Sequence, residues 1–150
     1  MSTLLFCFSA TGNSLTTARL LAKELPDCTI IPVPSLRNQG KIPVHADAVG
    51  FIYPIYYSDM PALLRSVIRR MHFENHPYVF SVCTCRGHFG NVAQRLDALL
   101  RERGQQLHCS LSVRLPGNSR ISTPEQNAEM LAAQADAVHA VAQTLLTYPE

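Results

Sequence analysis

Short apolar runs alternate with longer amphipathic stretches along the whole chain. The first run, Thr3-Leu4-Leu5-Phe6-Cys7-Phe8, reads as a strand buried on both faces. Ser9-Ala10-Thr11-Gly12-Asn13 bounds it. From Ser14 to Leu25, Leu15, Ala18, Leu21, Ala22 and Leu25 then recur at three- and four-residue intervals. That interval predicts a helix, which Pro26-Asp27 ends. Thr29-Ile30-Ile31-Pro32-Val33 is short and interrupted by proline, as an edge strand tolerates. Residues Pro34 to Pro43 read as loop, and Ala46 to Tyr53 predicts a central strand closed by Pro54. Pro61 is placed to open a helix with an apolar stripe of Leu63, Leu64, Val67, Ile68 and Met71. Tyr78 to Thr84 predicts the next strand, and Val92 to Arg103 an amphipathic helix stopped by Gly104. Leu107 to Leu115 predicts the last strand. Thr123-Pro124-Glu125-Gln126 then marks the start of a terminal helix, with apolar positions from Ala128 to Leu146.

Continuous apolar strands alternating with helices predict the α/β class: a three-layer sandwich whose parallel sheet is covered on both faces. At 150 residues, with neither repeat nor linker, the chain is expected to form a single domain over 1–150. Ligands of such sheets bind at the carboxyl ends of the strands, where the strand order reverses. The loops after the first, third and fourth strands are therefore the places to look for chemistry.

Composition narrows the classes. Hydrophobic residues make up 47% of the chain and charged residues 16%, which excludes a disordered or fibrous protein. No apolar stretch approaches the roughly 20 residues of a bilayer-spanning helix, so no membrane partner is expected. Met1-Ser2-Thr3 lacks the basic start of a secretory signal, and a cytoplasmic location is expected. The odd count of five cysteines argues against a disulfide framework. Cys83-Thr84-Cys85 is too tight for metal-ligand spacing, and Cys7, Cys83 and Cys109 sit in apolar runs as core residues. The six histidines share no ligand spacing, so no metal site is expected. A net charge of +2 predicts no strong attraction to nucleic acid. That total hides a pattern: residues 1–60 are neutral, 61–123 sum to +6 and 124–150 to −4. The basic middle section suits a partner with an acidic docking face.

The first loop carries the most specific signal. Ser9-Ala10-Thr11-Gly12-Asn13-Ser14 follows a buried strand, opens a helix, and crowds four polar side chains and a glycine into six positions without a lysine. A phosphate there meets backbone N–H groups with no intrahelical partner and the positive end of the helix dipole. Such a loop holds a phosphate still rather than transferring it. Helix capping alone would need only one of these residues. No nucleophile–base pair or paired carboxylates accompany it, so no catalytic residue is assigned.

Phe8-Ser9-Ala10-Thr11-Gly12-Asn13-Ser14 resembles the phosphate loop of the flavodoxin family. Pro54-Ile55-Tyr56-Tyr57 through Pro61, Thr84-Cys85-Arg86-Gly87 through Gly90-Asn91, and Leu115-Pro116-Gly117-Asn118 are similar to one branch of it, whose flavodoxin domains often precede a bacterial-type ferredoxin domain. No Cys-x-x-Cys-x-x-Cys run follows here. The resemblance implies a flavodoxin-like fold, with a five-stranded parallel sheet in the order 2-1-3-4-5, and FMN as cofactor. It implies that Ser9, Ala10, Thr11, Gly12, Asn13 and Ser14 hold the phosphate. Pro54, Ile55, Tyr56 and Tyr57 would form one wall of the flavin site; Thr84, Cys85, Arg86 and Gly87, with Phe89 and Gly90, would form the other. Two departures stand out. Ser58-Asp59 replaces a glycine usual in such relatives, and Arg86 brings a cation to a family that is typically acidic.

The expected function is electron transfer between redox partners, a reductase or ferredoxin in a separate chain, by a monomer or weak dimer. The alternative is a small NAD(P)H-dependent FMN or quinone reductase on the same fold. The length and a fifth strand read as uninterrupted favour the carrier, and whether the protein is an enzyme stays open.

Overall fold

The structure, a computed structural model, describes residues 2–8, 13–25, 27–54, 61–85 and 92–114, together with 139, 140 and 143. Seven strands and three α-helices lie among them, in the order β1 (Thr3–Cys7), α1 (Asn13–Glu24), β2 (Cys28–Pro32), β3 (Ile42–Val44), β4 (Ala48–Pro54), α2 (Ala62–Arg69), β5 (Met71–Phe73), β6 (Tyr78–Cys85), α3 (Val92–Arg101) and β7 (Cys109–Arg114).

Five strands form one parallel sheet in the order β2-β1-β4-β6-β7. Counted among themselves in chain order they run 2-1-3-4-5, as expected. Strand β2, with its proline, lies at an edge. Every residue of β4 from Ala48 to Tyr53 is buried. Such continuous burial is the mark of a strand covered on both sides. One face packs Phe6, Val49, Phe51, Tyr53, Val79 and Cys83 against Leu64, Val67 and Ile68 of α2 and Val92, Leu96, Leu99 and Leu100 of α3. The other packs Leu5, Cys7, Ala48, Ile52, Phe80 and Val82 against Ala18, Leu21 and Leu25. The two-residue period of each strand thus sorts its apolar side chains into two cores. Ser81, fully buried on the same face as Val79 and Cys83, donates to Ser110 Oγ at 3.0 Å on the neighbouring strand.

Two elements correct the sequence reading. Met71 does not continue the helical stripe: α2 ends at Arg69, and Met71-His72-Phe73 becomes β5, parallel to β3 in a separate two-stranded sheet. Arg70 makes the change of direction. Its guanidinium donates to the carbonyls of Leu36, Arg37 and Gln39, and its Nε donates to the Ser66 carbonyl at 3.2 Å. The stretch from Pro34 to Pro43 is not plain loop either. It holds the end of a 3-10 turn, Val33–Leu36, and the first two residues of β3. Pro43 has no N–H to donate, which a strand with one neighbour accommodates.

Asp27 takes a left-handed φ of 48° after α1, and its carbonyl accepts from the Thr3 amide at 3.0 Å, starting the β1–β2 ladder. Asp tolerates this conformation better than most residues. Gly104, at φ 79°, closes α3 with amide bonds from Gly104 to the Arg101 carbonyl and from Gln105 to the Leu100 carbonyl. Most of the terminal helix expected from Thr123 to Leu146 lies outside the described residues. His139, Ala140 and Gln143 are helical, and His139 Nδ1 contacts Glu24 Oε1 on α1. No helix among the described residues is long and apolar enough to cross a membrane.

Candidate functional site

Strands β1, β4 and β6 are adjacent and parallel, so their carboxyl ends share one edge of the sheet. Register makes the alignment specific: Cys7 pairs with Ile52, Tyr53 with Cys83 and Pro54 with Thr84. The Phe8 amide donates to the Ile52 carbonyl at 2.9 Å, which keeps β1 beside β4 to its last residue. The reversal in strand order falls between β1 and β4. Chain connections run to β2 on one side and to β6 on the other, leaving the crevice in which ligands of doubly wound sheets bind.

The candidate residues fall around this edge as follows. Asn13 and Ser14 are the first two residues of α1. Pro54 is the last residue of β4 and half-buried, and Thr84 and Cys85 are the last two of β6. Ser9, Ala10, Thr11, Gly12, Ile55, Tyr56, Tyr57, Arg86, Gly87, Phe89 and Gly90 lie outside the described residues. The three segments that hold them, 9–12, 55–60 and 86–91, leave from the ends of these three neighbouring strands.

Residues 9–12 join β1 to a twelve-residue helix whose first turn carries no acidic side chain. No acidic residue of that turn offsets the positive end of the helix dipole, and neither lysine nor arginine lies between Ser9 and Ser14 in the sequence. The donor set at this end of the chain is therefore backbone amide and neutral hydroxyl or amide, which fits a phosphate monoester held without a cation. Cys7, at the end of β1, adds no charge: burial pushes its thiol up to about 11. Among the described residues no group of three or more histidine, cysteine or acidic side chains could hold a metal ion. Cys7 and Cys83 are buried as expected of core residues, while Cys109 is half-buried.

No known sequence family matches the chain, and no curated protein does. Solved structures do. The fold is flavodoxin-like. General stress protein 14 of Treponema denticola, solved in complex with FMN, aligns at a TM-score of 0.65 and 12% identity, over 97% of this chain and 99% of that one. The NAD(P)H:quinone oxidoreductase of Methanothermobacter marburgensis aligns at 0.55 and 13% identity, over 93% and 96%. Rubredoxin oxygen:oxidoreductase of Desulfovibrio gigas aligns at 0.55 and 14% identity, over 97% of this chain but 37% of that one, so the chain spans little more than a third of it. At such identities the likeness speaks for the flavodoxin-like fold alone, since one fold hosts many functions.

Proposed function

We propose that the protein binds FMN at the β1–β4–β6 edge and carries electrons between redox proteins, a reductase or ferredoxin in a separate chain. The observation that supports this reading is the departure of all three candidate loops from adjacent strands at the reversal point of the sheet. In this reading the amides from Ser9 to Leu15 hold the phosphate, with Ser9, Thr11, Asn13 and Ser14 adding hydrogen bonds. Gly12 allows close backbone approach. Pro54 to Tyr57 and Thr84 to Gly90 flank the ring and exclude water, one tyrosine stacking on it. Bound FMN supplies one- and two-electron chemistry, and Arg86 beside it favours added negative charge. The protein works in the cytoplasm as a monomer or weak dimer.

The second reading, a small NAD(P)H-dependent FMN or quinone reductase, draws on the structural likeness to the quinone oxidoreductase. One experiment separates the two. Flavin-free protein is titrated with FMN, and the loaded protein is then mixed anaerobically with NADPH. The proposal expects stoichiometric FMN uptake at micromolar concentration and bleaching only when a reductase is added. Rapid bleaching by NADPH alone favours the reductase, and failure to take up FMN rejects both.

A further inference from the structure

The opposite edge of the sheet carries a second concavity. The segments leading into β6 and β7 and the end of α3 border an open hollow of about 450 Å3, lined by His76, Arg101, Gln105, Gln106 and His108 with Pro77 and Gly104. With β6 eight residues long, this hollow lies roughly 25 Å from the candidate flavin edge at about 3.3 Å per residue.

Its lining contains a guanidinium, two imidazoles and two carboxamides, but no carboxylate. Of the acids nearby in the chain, Glu74 and Glu102 do not line it, and Asp97, one turn before Arg101, is already engaged. Its Oδ1 accepts from the Leu107 amide and its Oδ2 from Arg101 Nε, both at 2.9 Å. Arg101 uses only that nitrogen. Its two terminal nitrogens make no hydrogen bond among the described residues, and its side chain is 64% exposed. The backbone and side-chain amides of Gln106 likewise find no partner among the described residues, and neither does His76. At the carbonyl end of α3, which would repel an anion, the carbonyls of Ala98, Leu100 and Arg101 are taken up by the amides of Glu102, Arg103, Gly104 and Gln105. Gln105 Nε2 donates to the Asn75 carbonyl and His108 Nδ1 accepts from the Val79 amide, so the donors left to this corner are those of Arg101, His76 and Gln106. An arginine fork with two nitrogens unpartnered among the described residues suits a carboxylate or phosphate oxygen pair better than a point cation does. A metal cation finds no anionic ligand here, and a hydrophobic ligand finds a polar wall.

We propose that this hollow is a binding site for a small organic anion, a carboxylate or phosphate ester, held by Arg101 with His76 and Gln106. The inference is independent of the FMN reading, because the two sites share no residue.

The test is an amide NMR titration of the whole chain with succinate and, separately, with inorganic phosphate, at ionic strength held constant with chloride. The expected result is that the amides of Gly104, Gln105, Gln106 and His108 shift together and saturate with at least one anion. Saturation by succinate alone identifies a carboxylate ligand, and by phosphate alone a phosphate ligand. Arg101→Gln weakens that binding at least tenfold, and Gln106→Ala weakens it less, both keeping a dispersed spectrum. Shifts that never saturate with either anion overturn the proposal, as does saturation undiminished in both variants. Phosphate shifts at residues 9–13 are read separately and report on the candidate FMN loop.

Discussion

The Phe80 ring lies over Gly50: a β-carbon built on Gly50 would stand 2.4 Å from Phe80 Cε2 and Cζ and 2.8 Å from Leu5 Cδ2. Leu5, Gly50 and Phe80 are register partners on three adjacent strands and share the face packed against α1. Glycine in a central strand weakens it intrinsically. Here the missing side chain makes room for a fully buried aromatic ring, which contributes far more burial than a methyl group could.

Gly50→Ala is accordingly expected to destabilise the protein by about 1–3 kcal/mol, the usual range for overpacking a tight core. Urea denaturation monitored by circular dichroism measures it. In a Phe80→Leu background the same substitution will cost less, because the ring carbons it meets are gone and neighbouring sites couple. Equal costs in the two backgrounds would show that Phe80 is not the obstacle.

Arg70 ties the end of α2 to the connection between β2 and β3 through three carbonyls, those of Leu36, Arg37 and Gln39. Carbonyls bonded to a charged donor gain more than a neutral bond gives, but Arg70 is only half-buried. Arg70→Ala is expected to cost about 1–2 kcal/mol. Its mark will be local: faster amide exchange in Ile42, whose N–H donates to the Arg70 carbonyl, and in β5, with the five-stranded sheet unchanged. Arg70→Lys will recover only part of this, since one nitrogen, Nη1, meets the three loop carbonyls while Nε bonds Ser66, and a single ammonium cannot do both.

The five-stranded sheet was legible because its signal is local. Leu5 to Cys7 and Ala48 to Tyr53 are unbroken runs without a charged or strongly polar residue, Val79 to Cys83 is interrupted only by Ser81, and each is buried where it stands. The small second sheet was not legible. Three-residue strands carry no period, and Met71 sits at a helical interval from Val67 while its backbone pairs with Ile42, 29 positions earlier in the chain. The loop after β1 announced itself through the crowding of Ser9, Thr11, Gly12, Asn13 and Ser14. The hollow formed by His76, Arg101 and His108 did not. These residues are far apart in sequence, and only the parallel register of β6 and β7 brings the starts of those strands together.

Burial pushes the thiols of Cys7 and Cys28 up to about 11; for Cys28 the neighbouring Asp27 carboxylate adds to the effect. At pH 8 such thiols are about one-thousandth thiolate, and the thiolate is the reactive form. Both are therefore expected to react with iodoacetamide at least tenfold more slowly in the native protein than in urea, as peptide mass mapping after timed quenching will measure. Cys7, at 3% exposure, will be the slower of the two. Native labelling of Cys7 at the unfolded rate would mean that the end of β1 opens readily, and the packing described around Cys7 would then be wrong.

The Leu107 amide, donating to Asp97, holds that carboxyl below its ordinary value; burial opposes this, and Arg101 and His108 assist it. A carboxyl whose folded pKa is depressed stabilises the protein fully above its unfolded pKa, about 3.9, and loses that contribution as pH falls through the folded value. Over that window the unfolded chain binds more protons, so stability rises with pH. Asp97→Asn keeps the shape and an acceptor for Leu107 but removes the charge. Urea midpoints at pH 7 and pH 3 are expected to show the variant clearly below wild type at pH 7 and closer to it at pH 3. A gap of equal size at both pH values would assign the loss to altered packing rather than to the charge on Asp97. Because Asp97 links α3 to the segment entering β7, the destabilised variant should also exchange the Leu107 and His108 amides faster than those of β1 and β4.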